Sequence, residues 1–134
     1  MQIGAVSYVD YCPEEPHHFA VTASTRVIIY DGLTLQPKRQ ITRFTDKAYS
    51  GSFRPDGKLL VAGGESAIVQ VFDTGSRTLL RQFKGHSRPV HCTRFSPDKL
   101  HILSASDDAT VRLWDITCET RGGHPSIRTS SLAH

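Results

Sequence analysis

Short stretches in which apolar and polar residues alternate make up most of this chain. The segments IVQVFD (68–73) and TVRLWD (110–115) alternate with a period of two, and KLLVAGG (58–64) carries an apolar run of strand length. Period-two alternation predicts β-strands that place one face in a core. Asp56-Gly57 is a hairpin signal between two such stretches. The pattern therefore predicts an all-β chain of short antiparallel strands.

This strand pattern repeats every 42 residues. Each copy has room for four strands, and the three copies align without an insertion. Four strands in about 42 residues is typical of a propeller blade. We therefore predict about three four-stranded antiparallel blades, in repeats covering residues 3–43, 44–85 and 86–116. Equivalent positions are held by Pro13, Pro55 and Pro97, by Asp31, Asp73 and Asp115, and by Tyr30, Phe72 and Trp114.

The predicted propeller, residues 1–116, is incomplete, because closed propellers typically use four to eight blades. After residue 116 the repeat stops, and the Gly-, Ser- and Thr-containing stretch 117–134 is predicted to be a disordered tail. Two explanations stay open. The chain is a truncated or alternatively spliced product of a longer gene, or it joins other chains to complete a ring. Either way, the end blades should expose apolar faces.

Composition narrows the classes of function. With 38% hydrophobic and 22% charged residues the chain is typical of a soluble globular protein. No apolar run approaches the ~20 residues of a membrane span, and the N-terminus lacks the order of a secretory signal. The three widely spaced cysteines, without C-x-x-C, argue against disulfides and zinc. We expect no metal, cofactor, membrane or small-molecule substrate, and the net charge of +3 indicates nucleic acid only weakly.

The third copy places a serine, a histidine and an aspartate in one neighbourhood, and it also contains the only tryptophan. Its Gly85-His86 and Trp114-Asp115 pairs resemble the boundaries of a WD repeat. In that family the matching His, Ser, Asp and Trp form a structural hydrogen-bond chain within a blade. The resemblance puts His86, Ser106, Asp108 and Trp114 at these four places. Copy two has Phe44, Gly64, Ser66 and Phe72 there, and copy one has Thr22, Ser24 and Tyr30 at three of them.

A hydrolase that uses Ser106 and His86 is the competing reading of this cluster. Such a triad needs an exposed serine beside an oxyanion pocket, whereas Ser106 is expected at the end of a strand with its hydroxyl engaged. The sequence also lacks a G-x-S-x-G nucleophile elbow. We therefore predict no catalytic residues.

Three longer segments sharpen the resemblance. VTASTRVIIYD (21–31), FTDKAYSGSFRPDGKLLVAG (44–63) and LRQFKGHSRPVH (80–91) resemble the U three small nucleolar RNA-associated WD-repeat proteins. The resemblance covers about residues 3–116 and only the opening blades of that family. It implies a non-catalytic scaffold of the small-subunit processome, acting in the nucleolus in pre-ribosomal RNA transcription and processing for 18S ribosomal RNA.

The implied partners are other processome subunits, with pre-ribosomal RNA or small nucleolar RNA inside the complex. A generic WD-repeat adaptor of another complex is the alternative. The predicted loops at 46–47, 65–67 and 84–88 should gather on one rim, where Arg43, Lys84 and Arg88 are candidates for contact with phosphates. The preferred interpretation of these three side chains is that they are ordinary solvated loop charges.

Overall fold

The computed structural model describes residues 4–117 and, for the backbone, 126–131. These residues contain twelve strands and no helix, which confirms the all-β prediction. The strands are β1 (Val6–Tyr11), β2 (Phe19–Ala23), β3 (Arg26–Tyr30), β4 (Pro37–Ile41), β5 (Ala48–Phe53), β6 (Leu59–Gly64), β7 (Ile68–Asp73), β8 (Leu79–Lys84), β9 (Val90–Phe95), β10 (His101–Ser106), β11 (Thr110–Asp115) and β12 (Ser126–Ser131).

The strands form three antiparallel four-stranded sheets, each built from four consecutive strands. We call them blade 1 (β1–β4), blade 2 (β5–β8) and blade 3 (β9–β12). The first strands of the blades, β1, β5 and β9, pack side by side. This is the arrangement expected for part of a propeller, with the first strand of each blade innermost.

The hydrophobic core lies between neighbouring blades. Leu60 and Val61 follow each other on β6, and because side chains alternate along a strand they enter different clusters on the two faces of blade 2. Blade 2 therefore contributes to both cores. The cluster between blades 1 and 2 contains Cys12, Ala20, Val27, Ile29, Ile41, Phe53, Leu60, Ala62 and Phe72. The cluster between blades 2 and 3 contains Val61, Val69, Val71, Phe83, Val90, Ile102 and Trp114.

Polar groups on the inner strands also join the blades. The backbone N–H of Phe53 in blade 2 donates to Asp10 Oδ2 in blade 1 over 2.9 Å. Ser52 Oγ donates to the carbonyl of Thr93 in blade 3 over 2.6 Å. Burial raises the pKa of Asp10, against the lowering effects of the Phe53 N–H and of nearby Arg94. These bonds fix the offset of each inner strand relative to the next.

The 42-residue period conceals a one-residue shift in blade 1, so the prediction of three copies without an insertion is wrong. The connection before β2 is one residue longer than its counterpart before β6, and the turn after β2 is one residue shorter. The two changes cancel, which leaves the overall period intact. The pairs that differ are Tyr11 with Phe19 and Phe19 with Tyr30 in blade 1, against Phe53 with Leu60 and Leu60 with Phe72 in blade 2.

The fourth strand of blade 3 lies in the stretch that was predicted to be disordered. Strand β12 pairs antiparallel with β11, from Thr110 opposite Ser131 to Trp114 opposite Ser126. The prediction of disorder over 117–134 is therefore wrong for residues 126–131, because the outer edge of β11 offers unpaired N–H and C=O groups that an extended segment can satisfy. Residues 118–125 and 132–134 lie outside the described residues.

Both end blades expose apolar side chains at positions that are buried where a neighbouring blade is present. Tyr11 on blade 1 is 71% exposed, whereas its blade 2 counterpart Phe53 is 7% exposed. Leu103 on blade 3 is 48% exposed, whereas its blade 2 counterpart Val61 is fully buried. These faces are of the kind that further blades cover in a closed propeller.

Candidate functional site

The most complete polar network of the described residues lies in blade 3. Trp114 Nε1 donates to Ser104 Oγ over 2.9 Å, and Ser104 Oγ lies 2.7 Å from His86 Nε2. The other ring nitrogen of the histidine, Nδ1, lies 2.9 Å from Asp108 Oδ2. The side chain of His86 is fully buried, and so are Trp114 and Ser104. Strands β10 and β11 and the connection before β9 thus meet in one hydrogen-bonded chain.

One arrangement of hydrogens satisfies every member of this chain. The Trp114 N–H can only donate, so the oxygen of Ser104 accepts it and its own O–H donates to His86 Nε2. His86 then carries its hydrogen on Nδ1 and donates it to the carboxylate of Asp108. This tautomer follows from the network, and it leaves no buried polar atom of the four side chains unpaired.

Asp108 is held as an anion at the end of the chain. Its burial would raise the pKa, but hydrogen bonds from Thr110 and His86 and from the N–H of Ser87 together lower the pKa of this carboxyl far below its usual value. The Ser87 N–H donates to Oδ2 over 3.1 Å, and the Thr110 N–H donates to Oδ1 over 2.9 Å. Asp108 therefore ties the β10–β11 turn to the connection that precedes β9.

The serine of this network is Ser104, so the prediction of Ser106 is wrong. Both side chains lie on the same face of β10, because they are two residues apart on one strand. Ser106, however, is at the end of the strand, where its hydroxyl donates toward the carbonyls of Arg88 and Pro89 at 3.0 and 2.9 Å. Ser104 pairs with Arg112, close to Trp114, and this position brings its hydroxyl within reach of the indole.

Blade 2 fills the same space with apolar groups. The position of Ser104 is held by Ala62, and that of Trp114 by Phe72. The ring of Phe44 meets Phe72 edge-on at 5.3 Å between centroids, as His86 meets Trp114 at 6.2 Å. An aromatic pair thus replaces the polar chain. In blade 1 the predicted Thr22, which lies two repeats before Ser106, is not at the serine position. The period places Ala20 two repeats before Ser104, and the one-residue shift puts Val21 there instead.

The geometry of Ser104, His86 and Asp108 resembles a catalytic triad in its connectivity but not in its setting. Ser104 is fully buried, and its oxygen already accepts the Trp114 N–H. A nucleophile must be open to substrate, so this trio cannot attack one from solvent.

Among residues 4–117 no group of three or more His, Cys, Asp and Glu side chains could hold a metal, and no helix there is long and apolar enough to cross a membrane.

A second cluster, which the sequence analysis missed, lies on the rim beside this network, since its Asp107 adjoins Asp108. The ring of Tyr49 in blade 2 stacks on His91 in blade 3 at 4.9 Å between centroids. Each ring hydrogen-bonds a carboxylate: Tyr49 donates to Glu65, and His91 Nε2 lies 2.8 Å from Asp107 Oδ2. The 42-residue period could have indicated this cluster. Tyr49 and His91 are one repeat apart, and so are Glu65 and Asp107.

Two of the predicted rim loops, 46–47 and 65–67, meet at one end of blade 2. The N–H of Glu65 donates to the carbonyl of Lys47 over 2.8 Å, and the N–H of Asp107 donates to the carbonyl of Pro89 over 3.0 Å. The turn inside each of blades 2 and 3 is therefore bonded to the connection that leads into the same blade. This end displays the Tyr49–His91 stack.

The three cations predicted for this rim take different positions. Lys84 is exposed at the end of β8, and Arg88 is exposed on the connection from blade 2 to blade 3. The carbonyl of Arg88 accepts a hydrogen bond from the hydroxyl of Ser106. Arg43 instead lines a cleft with Ser76 and Arg77, which belong to the β7–β8 turn. No hydrogen bond or ion pair joins Arg43 to the other two within the described part of the chain.

The comparison with protein families bears on the residues of this network. Residues 77–115, which include His86, Ser104, Asp108 and Trp114, match the model "WD domain, G-beta repeat". Residues 77–115 of the chain form a WD repeat.

The chain is also similar to longer curated proteins. It is 49% identical over 115 residues to the U3 small nucleolar RNA-associated protein 15 homolog of Xenopus tropicalis, which covers 86% of this chain and 22% of that protein. It is 40% identical over 136 residues to the U3 small nucleolar RNA-associated protein 15 of Schizosaccharomyces pombe, covering 97% of this chain and 28% of the relative. The Saccharomyces cerevisiae protein of the same name is 41% identical, covering 96% of this chain and 26% of the relative. The chain thus spans about a quarter of the length of these relatives.

Proposed function

We propose that this chain acts in ribosome biogenesis as part of a non-catalytic scaffold of the small-subunit processome. Its setting would be the nucleolus, in pre-ribosomal RNA transcription and processing toward 18S ribosomal RNA. The observation that carries the proposal is similarity of 40 to 49% identity, over 86 to 97% of the chain, to proteins named as U3 small nucleolar RNA-associated.

The site geometry supports a non-catalytic role. The side chains that suggest chemistry, Ser104, His86 and Asp108, stabilise blade 3 from within and do not line an open pocket. A hydrogen bond between buried groups contributes about 0.5 to 1.5 kcal/mol net to stability. Leaving a buried donor or acceptor without a partner costs more than that. We assign this network to folding rather than to turnover.

The rim supports a role in binding partners. Two blades jointly present the Tyr49–His91 stack, at the start of β5 and of β9. Beside it lie Glu65 and Asp107, on turns that are anchored by backbone hydrogen bonds. Loops held by a rigid scaffold are common places for recognition. Tyrosine in such a position offers a large amphipathic surface at low entropic cost. We propose that processome subunits bind at this rim.

A generic WD-repeat adaptor of another complex is the rival function. The match to the WD model over residues 77–115 favours it no less than the processome scaffold, because WD repeats serve many complexes. The two functions differ in the molecules that accompany the chain. Processome subunits and pre-ribosomal RNA should accompany the scaffold, and neither should accompany an unrelated adaptor.

The test is purification of the endogenous protein with a tag next to Met1, at mild salt, with a tagged WD-repeat protein of a different complex as the control. Intact mass, accompanying proteins and bound RNA are read from the same sample. Enrichment of processome subunits and pre-ribosomal RNA over the control is the expected result. A product that lacks both, or that carries the subunits of another complex, would exclude the proposed function.

A further inference from the structure

The outer edge of blade 1 forms a cleft with the β7–β8 turn of blade 2. Its volume is about 180 Å³, and it lies between the end of β4 and the turn that follows β7. The side chains that line it are polar or basic apart from one buried isoleucine. They belong to Gln40, Ile41, Thr42, Arg43, Ser76 and Arg77.

The turn that forms one wall of the cleft is held in place by Asp73. Its Oδ1 accepts the backbone N–H groups of Gly75 and Ser76, each over 2.9 Å, and its carbonyl accepts the N–H of Arg77 over 2.7 Å. These backbone hydrogen bonds lower the pKa of Asp73, so its carboxylate is occupied as the anchor of the turn. Arg77 therefore projects from a turn of defined shape.

The charge of the cleft is uncompensated within the described residues. Arg43 and Arg77 are exposed, no carboxylate lines the cleft, and neither arginine takes part in an ion pair there. A third guanidinium lies close by, since Arg26 Nη1 donates to Gln40 Oε1 over 3.5 Å. Guanidinium groups that face one cleft repel each other, and an anion between them removes that repulsion and accepts their N–H groups.

We propose that this cleft binds a phosphate group of single-stranded RNA. Arg43 and Arg77 would donate to the phosphate oxygens, a pairing for which the planar guanidinium is well suited. The hydroxyl groups of Thr42 and Ser76 line the same space and add donors. The choice of RNA rests on the proposed function, whereas the preference for a phosphate rests on the cleft itself.

The surroundings of the cleft favour an extended polyanion over a single phosphorylated side chain. Strand β4, which leads into the cleft, carries Lys38 and Arg39 on opposite faces, and Arg26 begins the strand beside it. Several cations spread along one edge of a blade suit a nucleic-acid backbone, which carries one phosphate per nucleotide, better than a single phosphate group. Of the three cations that the sequence predicted for phosphate contact, only Arg43 belongs to this site.

The experiment compares two double variants of the full chain that lose the same two charges. Arg43→Ala with Arg77→Ala empties the cleft of its guanidinium groups, and Lys84→Ala with Arg88→Ala removes two exposed cations from the junction of blades 2 and 3. A labelled oligoribonucleotide of about 12 nucleotides is titrated by fluorescence anisotropy at several salt concentrations. Thermal unfolding of each variant checks that the blades remain folded.

We expect the cleft variant to bind RNA about tenfold more weakly at low salt, because charge-assisted hydrogen bonds are lost. The slope of log K against log salt concentration should fall in magnitude by about 0.7 for each phosphate contact that is lost. The control variant should lose clearly less affinity.

Equal losses in both double variants would overturn the assignment of the cleft, because net charge alone would explain the binding. Failure of the unaltered chain to bind the oligoribonucleotide, or tighter binding of a phosphoserine peptide than of RNA, would overturn it too. None of these results removes the scaffold role, which rests on association with processome subunits in the purification described above.

Discussion

Trp114 and Ser104 join two strands of blade 3 through a 2.9 Å hydrogen bond between two fully buried side chains. The serine oxygen accepts the indole N–H while its own hydrogen serves His86. A single hydroxyl therefore provides the hydrogen-bond partner of two buried groups, the Trp114 N–H and His86 Nε2. Loss of that hydroxyl leaves both of them unpaired.

Ser104→Ala should lower the free energy of unfolding by about 1 to 3 kcal/mol, the cost of leaving buried polar groups without partners. Ser106→Ala should cost less, because Ser106 lies at a half-exposed strand end, and Ser87→Ala, on an exposed residue, should stay within about 0.5 kcal/mol. Urea unfolding of the three variants measures the order of these losses in unfolding free energy. A larger loss in Ser106→Ala than in Ser104→Ala would contradict the position assigned to the serine.

Placing the apolar side chains of blade 2 at the equivalent positions of blade 3 should restore part of the stability that each single substitution loses. Trp114→Ala alone should cost about 3 to 5 kcal/mol by leaving a cavity. The triple change His86→Phe, Ser104→Ala and Trp114→Phe reproduces the Phe44, Ala62 and Phe72 set. It should destabilise the chain less than the sum of its three single changes, since the polar partners leave together. Additive losses would mean that these three side chains do not act as one network.

The carboxylate of Asp108 should contribute stability that depends on pH. Its folded pKa lies below the unfolded value of 3.8, so the stabilisation is complete above that value and is lost as pH falls through the folded pKa. The difference in unfolding free energy between the unaltered chain and Asp108→Asn should therefore be constant from pH 7 to about 5 and should shrink below about pH 4. Asp46→Asn, at an exposed position, is the control. A difference that grows on acidification would contradict the role of the anion.

The junction of blades 2 and 3 leaves no room for a side chain at Gly63. A Cβ there would lie 2.6 Å from Val90 Cγ1 and 2.9 Å from Val90 Cβ. Gly63→Ala should therefore destabilise the chain by about 1 to 3 kcal/mol through overpacking. Gly75→Ala, where the nearest atom is Asp73 Oδ1 at 3.3 Å, is the matched change in an exposed turn and should cost less. Equal melting temperatures for the two variants would contradict the close packing of the blades.

The repeat made the blades predictable. Phe72 and Trp114 are one repeat apart, both lie in the cores, and each marks the third strand of its blade. The choice between Ser104 and Ser106 could not be made from spacing. Both lie on one face of β10, and what separates them is the pairing of Ser104 with Arg112 on the neighbouring strand. A period can identify equivalent positions, but it does not give the distance between side chains on different strands.

Two further features also depend on pairing between strands. The shift in blade 1 was hidden because an added residue before β2 and a missing one before β3 leave the period unchanged. Strand β12 has a weak sequence signal, and it is defined by the edge of β11 against which it lies. In both cases the partner strand, rather than the local sequence, determines the structure.

The most direct test of the proposed function is the ratio of newly made 18S to large-subunit ribosomal RNA after depletion of this protein from cells, with restoration by the unaltered gene as control. The processome scaffold predicts that pulse-labelled 18S ribosomal RNA falls and its precursors accumulate, while large-subunit ribosomal RNA is much less affected. An unchanged ratio after complete depletion would contradict the account.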